Sequence, residues 1–292
     1  MNKVKIFCFG FGQVAEGFIN KLIKEKIDLD LSITSRQESH QVNFNGLTFS
    51  SYKFDEDKID NELKIKLDDA TYILISIPPI NGDDQVIKYF ENNFANNKNC
   101  KWITYLSATS VYGDHQGEWV NETSDTKPTS INGVNRLKAE NSWKNLSSKY
   151  KLPLQIFRLA GIYSNKLNIL KRLKIGEVQL VNKKNHFFSR IHVEDISNIL
   201  FKSMSNFKNN ETYNISDDMP ASQMEVAEYG AKLLKLKKPT PIKLENLKNE
   251  MLKNFYKDSK KVDNKKMKYF FKYNLKYPSY IEGLDYIFHD IF

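Results

Sequence analysis

Two cysteines in 292 residues, Cys8 and Cys100, are too few for a disulfide framework. Cys8 falls inside the first apolar run and reads as a small buried hydrophobe. The five histidines are scattered, with no H-x-x-x-H and no C-x-x-C, so no metal site is expected. No serine sits in a G-x-S-x-G elbow, which removes that route to a nucleophilic hydrolase. No apolar run approaches the roughly 20 residues of a membrane span. The opening MNKVKIFCFG runs straight into a strand-like stretch without the small-residue cleavage site of a secretory signal. These absences make a cytoplasmic protein with no membrane partner the expectation.

Arginine is absent from residues 231–276, although that stretch holds fifteen lysines against four acids. The formal net charge of +9 is therefore concentrated there, and the remainder of the chain is close to neutral. A basic face for nucleic acid or a phosphorylated ligand is one reading. A solvated helical surface is the favoured one, because no nucleic-acid motif interleaves aromatic residues with the lysines.

What is present is a core's worth of apolar residues, 40% of the chain, and a strand–helix alternation through the first 160 positions. Strands are predicted at Val4–Phe9, Leu29–Ile33, Leu47–Phe54, Thr71–Ile77, Lys101–Leu106 and Leu154–Leu159. Helices are predicted at Gln13–Lys26, Asp60–Leu67, Asp83–Asn96 and Gly133–Tyr150. TYILISI is apolar on both faces and stops at Pro78–Pro79, as a buried central parallel strand should. Asp83 and Asp84, after Gly82, read as a helix cap. The pattern predicts an α/β fold: a Rossmann-type doubly wound parallel sheet with a smaller C-terminal α/β lobe. The expected division is a dinucleotide-binding domain over 1–165 and a substrate-side lobe over 166–292, partly woven back onto the sheet. In that lobe, helices are expected at Asn168–Leu173, Val193–Ser203, Ala221–Leu236 and Leu244–Phe255, and a strand at Thr212–Ile215.

Strand one runs into Gly10-Phe11-Gly12-Gln13-Val14-Ala15 and then a helix. This is G-x-G-x-x-A in the context that dinucleotide binding requires. Gly10 permits the tight turn, Gly12 lets the main chain approach a pyrophosphate, and Ala15 keeps the helix close to the sheet. The Gln13 and Val14 amides begin the helix, whose N-terminus favours the phosphates. A purely structural glycine turn is the alternative. An NAD site would end strand two in Asp or Glu, but here it ends in Ile33-Thr34-Ser35-Arg36. Two hydroxyls and a guanidinium suit a 2′-phosphate, which favours NADP over NAD. Ser76 and Pro78 end the central strand and are expected to line the adenosine side of the crevice, or else to cap a loop.

Residues 102–140, WITYLSATSVYGDHQGEWVNETSDTKPTSINGVNRLKAE, together with RLAGIY (158–163), IHVEDI (191–196) and YNI (213–215), resemble the short-chain dehydrogenase/reductase superfamily. The likeness is to its extended branch of NAD(P)-dependent epimerases and dehydratases, over about residues 3–217. That resemblance implies a Ser or Thr three residues before the VYG valine and a Tyr-x-x-x-Lys pair on the next helix. Those positions fall on Ala108, Asn132 and Arg136. Asparagine does not titrate near neutral pH and arginine stays protonated, so the usual proton machinery is missing. This resembles the superfamily's atypical subgroup. Arg136 can still hold a ribose or phosphate as a cation. Ser107 and Thr109 flank Ala108 and can hydrogen-bond a carbonyl, and Ser107 also lies where the cofactor is expected. Tyr112, Tyr163 and His192 are substitute acids; the alternative is a packing tyrosine under the loop for Tyr112 and a hydrogen-bonded histidine at a helix start for His192. Nucleotide-sugar members carry a phosphate-holding Arg four residues before the hVxD histidine. Here that position is Phe188, and the arginine is Arg190. The resemblance implies a small-molecule substrate and a homodimer through 86–96 and 133–150. Three functions stay open: an NADP-dependent oxidoreductase or epimerase on a small hydroxyl or carbonyl compound, a catalytically silent NAD(P)-binding sensor, and a weakly supported nucleic-acid binder.

Overall fold

The computed structural model describes residues 3–55, 58–80, 82–247, 253 and 256–291. In chain order the elements are β1 (Val4–Phe9), α1 (Gln13–Lys24), β2 (Leu29–Ser35), β3 (His40–Phe44), β4 (Leu47–Asp55), β5 (Lys58–Ile59), α2 (Asn61–Asp68) and β6 (Tyr72–Ile75). Then come α3 (Gln85–Asn96), β7 (Trp102–Ala108), a 3-10 turn (Thr109–Tyr112), β8 (Trp119–Val120), α4 (Ile131–Tyr150), β9 (Leu154–Leu159) and β10 (Gly161–Tyr163). They are followed by α5 (Ile169–Lys174), β11 (Arg190–His192), α6 (Val193–Ser205), β12 (Glu211–Ile215), α7 (Gln223–Leu233), β13 (Lys261–Val262), α8 (Lys265–Phe271) and α9 (Tyr280–Ile291). Among the described residues no helix is long and apolar enough to cross a membrane.

Two compact units make up the chain, and each draws on segments from both sides of residue 165. The first comprises Met1–Ser107, Asn135–Arg158 and Ile196–Tyr213; the second comprises Ala108–Val134, Leu159–Asp195 and Asn214–Phe292.

The first unit carries the main sheet, in the order β12-β9-β7-β6-β1-β2-β4-β3. The pairs β1·β2, β1·β6, β2·β4 and β6·β7 are parallel. This is the doubly wound order, with the topological switch between β1 and β6, where such folds place their ligands. The fold is α/β of Rossmann type. Strand β3 is an addition that sequence periodicity missed. It pairs antiparallel with β4 through Asn45 and Gly46, both at positive φ, the two-residue turn for which Asn-Gly is the strongest short-range signal. The core is aromatic: Phe9 packs against Phe54 and Phe90, and Phe94 meets Trp143 edge-on at 5.1 Å. Asp84 caps α3 by accepting from the Ile87 amide, and its second oxygen accepts from Trp143 Nε1 at 2.9 Å.

The second unit contains two short parallel pairs, β10·β11 and β8·β13. Its main apolar cluster joins Tyr163 and Leu170 to Met224, Ala227, Tyr280, Leu284 and Ile287. Helix α7 starts in a capping box between Ser222 and Glu225. Asp195, the second acid of the IHVED run, is buried and accepts from Tyr273 Oη and from the amides of Lys276 and Tyr277. It thereby ties the C-terminal segment to the start of α6. Helix α9 was not expected from sequence. Of the helix expected at Leu244–Phe255, the described residues show a 3-10 turn at Leu244–Asn246; residues 248–252 and 254–255 lie outside the described ones. Several lysines of the basic stretch are ion-paired, among them Lys238 with Glu228, Lys265 with Asp263 and Lys268 with Asp218.

Candidate functional site

The turn after β1 is held by its neighbours. Gly10 sits at φ +84, and a Cβ there would lie 2.7 Å from Ile77 Cγ2 and 3.0 Å from Ser76 Oγ. Its amide donates to Thr34 Oγ1 at 2.9 Å. Ser76 donates to the Phe9 carbonyl through both its amide and its hydroxyl. The turn therefore needs glycine at position 10 whatever it binds. Gly12 is different. It is an ordinary extended residue, φ −84 and ψ −175, that brings no side chain to cap α1. A Cβ at Gly12 would meet nothing within 4 Å. Nothing in the surrounding fold requires this second glycine. The first-turn amides of a helix have no intrahelical acceptor and sit at the positive end of its dipole. Val14 and Ala15 face the core, and Gln13 is half-buried.

At the end of β2 the three candidate phosphate ligands separate. Thr34 is 2% exposed, and its Oγ1 serves the loop by accepting from the Gly10 amide. Ser35 accepts from Ser51 Oγ at 3.1 Å. Arg36 is exposed. The nearest acid in sequence, Glu38, pairs with Lys53, which holds its carboxyl below the usual range. Ser39 hydrogen-bonds Asp60 and accepts from the Lys53 amide. Pro78 is exposed beyond β6.

At the end of β7, Ser107 donates to Glu140 Oε1 at 2.6 Å. Glu140 is fully buried and receives Arg158 in a forked pair, Nη2 to Oε2 at 2.8 Å and Nε to Oε1 at 3.0 Å. Arg136, one helical turn before Glu140 on α4, donates through Nη1 to the Leu106 carbonyl at 2.7 Å and to Tyr105 Oη at 3.3 Å. A buried carboxylate is tolerated when it is paired and hydrogen-bonded in this way.

In the second unit the substitute acids have structural tasks. Tyr112 is fully buried and its hydroxyl donates to Asn214 Oδ1 at 2.7 Å. Tyr163 presses its hydroxyl onto Gly283, where a Cβ would lie 2.0 Å away, and burial pushes its phenol up. His192 is 2% exposed, its Nδ1 accepts from the Glu194 amide, and its ring meets those of Tyr277 at 4.2 Å and Tyr163 at 5.1 Å. Burial pushes His192 down to about 4, so it is neutral at pH 7. Arg190 is buried and donates to the Phe188 and Ala221 carbonyls and to Gln223 Oε1. Thr109 is half-buried in the 3-10 turn. The first turn of α4 packs tightly there: a Cβ at Gly133 would lie 2.6 Å from the Ser110 carbonyl oxygen. Asn132 is exposed beside it. Among the described residues no three His, Cys, Asp or Glu side chains could jointly hold a metal.

The model of the NAD dependent epimerase/dehydratase family matches residues 83–216. A solved structure of a functionally unknown conserved protein from Silicibacter pomeroyi is 32% identical, with 98% of both chains covered and a TM-score of 0.85. The chain belongs to the NAD-dependent epimerase/dehydratase family. Two more distant structures share the fold. MoeE5 in complex with UDP-glucose and NAD is 15% identical, over 98% of this chain and 97% of its own, at a TM-score of 0.77. The UDP-N-acetylglucosamine 4-epimerase of Bacillus cereus is 17% identical over 99% of each chain, at 0.74. No curated protein matches the chain.

For this epimerase/dehydratase family member, sequence reasoning missed two features of the site. One is the Glu140–Arg158 pair. Its signal was present, since Arg158 is the lone charge in the otherwise largely apolar strand Leu154–Leu159 and a charge there must be paired. The other is the contact of Phe11 with β3 and β4.

The depressed His192 gives a pH prediction. Between about pH 4 and the ordinary histidine value of 6.5, the unfolded chain binds a proton here that the folded chain does not, so stability rises with pH through that window. From pH 7 to pH 5 the wild type should lose on the order of 2 kcal/mol relative to His192→Asn. Urea unfolding at the two pH values measures it; equal losses in both proteins would contradict the assignment.

Proposed function

We propose that the chain is an NADP-dependent oxidoreductase or epimerase that acts on a hydroxyl or carbonyl group of a small, sugar-derived substrate. Gly12 carries this reading. It is a glycine that the fold does not need, with open space where a side chain would stand, at the N-terminus of a helix. A pyrophosphate needs that access to the main chain, so the residues present fit a dinucleotide. The turn amides around Gly12, Gln13 and Val14 would hold the pyrophosphate. Arg36, with Ser35, would hold a 2′-phosphate, and the Lys53–Glu38 pair keeps the neighbouring acid occupied. NAD is the alternative at the same cradle. Ser76 and Pro78 would border the adenosine side.

The bound nicotinamide would supply or accept a hydride. Arg136, fixed at Nη1 to the Leu106 carbonyl, keeps its remaining N–H groups for the ribose. Ser107 gives its one proton to Glu140, so toward a ligand its oxygen is an acceptor. Thr109 is assigned to the substrate oxygen. The UDP-sugar named for MoeE5 and the UDP-N-acetylglucosamine epimerase favour a sugar-derived substrate. Arg190 is buried and spends three hydrogen bonds within its own unit, which favours a substrate without a diphosphate.

A second reading is a catalytically silent NAD(P)-binding sensor. It is favoured by one observation: Tyr112, Tyr163 and His192 are all buried within the second unit.

Gly12→Val tests the cradle. Its melting temperature should stay within about 2 °C of wild type, because a Cβ there meets nothing within 4 Å, while NADPH affinity falls about 100-fold or more. Unchanged affinity would remove the cradle. Arg36→Ala should weaken NADPH about tenfold or more and leave NADH unchanged; equal effects on both would favour NAD. Incubation with NADP and a panel of sugar alcohols and aldoses, read at the reduced-nicotinamide absorbance, should show turnover. Tight cofactor binding with none across the panel would favour the sensor.

A further inference from the structure

We infer that the β3–β4 hairpin is a clamp that preorganises the glycine turn, with Phe11 as its positioning residue; the inference rests on the proposed dinucleotide cradle. Phe11 lies between two glycines, so it is the one side chain by which this stretch of turn can be gripped. Its ring meets Phe44 at 5.3 Å and 86° and Phe49 at 5.4 Å and 63°, both edge-to-face. Phe44 is the last residue of β3 and Phe49 is buried in β4. The hairpin makes a second attachment at its tip, where Asn45 Nδ2 donates to Asn20 Oδ1 of α1 at 3.0 Å. One element thus holds both the turn that leads into α1 and the helix itself.

The clamp has a physical reason. Glycine loses more backbone freedom on ordering than any other residue, and a turn with two of them in three positions samples many conformations unless something outside it restrains it. Gly10 is restrained by Thr34 and Ile77. Gly12 has no side chain to be held by, and it is tied at its carbonyl, which accepts the Glu16 amide at 2.9 Å. Between the bonds at Gly10 and at the Gly12 carbonyl, the Phe11 ring is the side-chain restraint on the turn. Ordering the amides before a ligand arrives removes that cost from binding. It also gives a task to β3, an edge strand whose His40, Gln41 and Asn43 are exposed.

The test uses the full ligand-free chain and hydrogen–deuterium exchange at the amides of residues 11–14. Phe44 lies outside the cradle. Phe44→Ala should raise exchange at 11–14 about tenfold while β6 and β7 keep their protection, and should weaken NADPH binding by a similar factor. Phe11→Leu should keep both close to wild type. Asn20→Ala removes only the tip attachment and should raise exchange at 11–14 about threefold; it keeps the test decisive if Phe44→Ala does not fold. No rise with whichever of Phe44→Ala and Asn20→Ala folds, or an equal rise across the whole first unit, would overturn the clamp. If the wild type binds no dinucleotide, the cradle reading fails by itself, and the exchange measurement still decides the clamp.

Discussion

At the junction of Phe9 and Gly10 three strands meet. Position 10 is forced to glycine by a positive φ and by the Ile77 methyl group, 2.7 Å from where a Cβ would be. The Gly10 amide is bonded to the end of β2 through Thr34, and the Phe9 carbonyl is bonded to the end of β6 through Ser76. A larger residue at position 10 would push β1 and β6 apart at the switch point of the sheet. The position of Gly12 and the start of α1 follow from that contact.

The strand ends divide between residues that hold the fold and residues left to bind. Thr34 and Ser76 hold the turn, Ser107 holds Glu140, and Arg158 neutralises Glu140. Arg136, Arg36 and Gly12 keep donors or space that the fold does not use fully. A buried ion pair contributes little net stability over an apolar pair of the same shape, whereas leaving one partner alone is costly. The pair therefore fixes α4 against β9, Ser107 ties Glu140 to β7, and that register puts Arg136 at the Leu106 carbonyl. In the second unit, Asp195 does comparable work by fastening residues 273–277 to the start of α6.

Much of this was legible in the residues. Val4–Phe9 and Leu154–Leu159 form strands with the expected bounds, because continuous apolar runs flanked by turn residues have one stable use in an α/β sheet. The Asp84 cap follows from acids placed just before an apolar helix face. Strand β3 was signalled only by Asn45-Gly46, since its outward side chains give too little apolar contrast to read as a strand. Helix α9 has glycine in its interior, where glycine lowers helix propensity, yet Gly283 is what admits Tyr163.

The sequence by itself determined the parallel sheet, the glycine turn and the family resemblance, because these depend on local pattern and on spacing along one strand–turn–helix. Only the tertiary structure decided which hydroxyls, acids and rings are occupied. Thr34 meets Gly10 across 24 positions, Tyr112 meets Asn214 across 102 and Phe11 reaches the tip of a distant hairpin. Whether a polar group is available for chemistry depends on what packs against it, and such neighbours are set by the folded core.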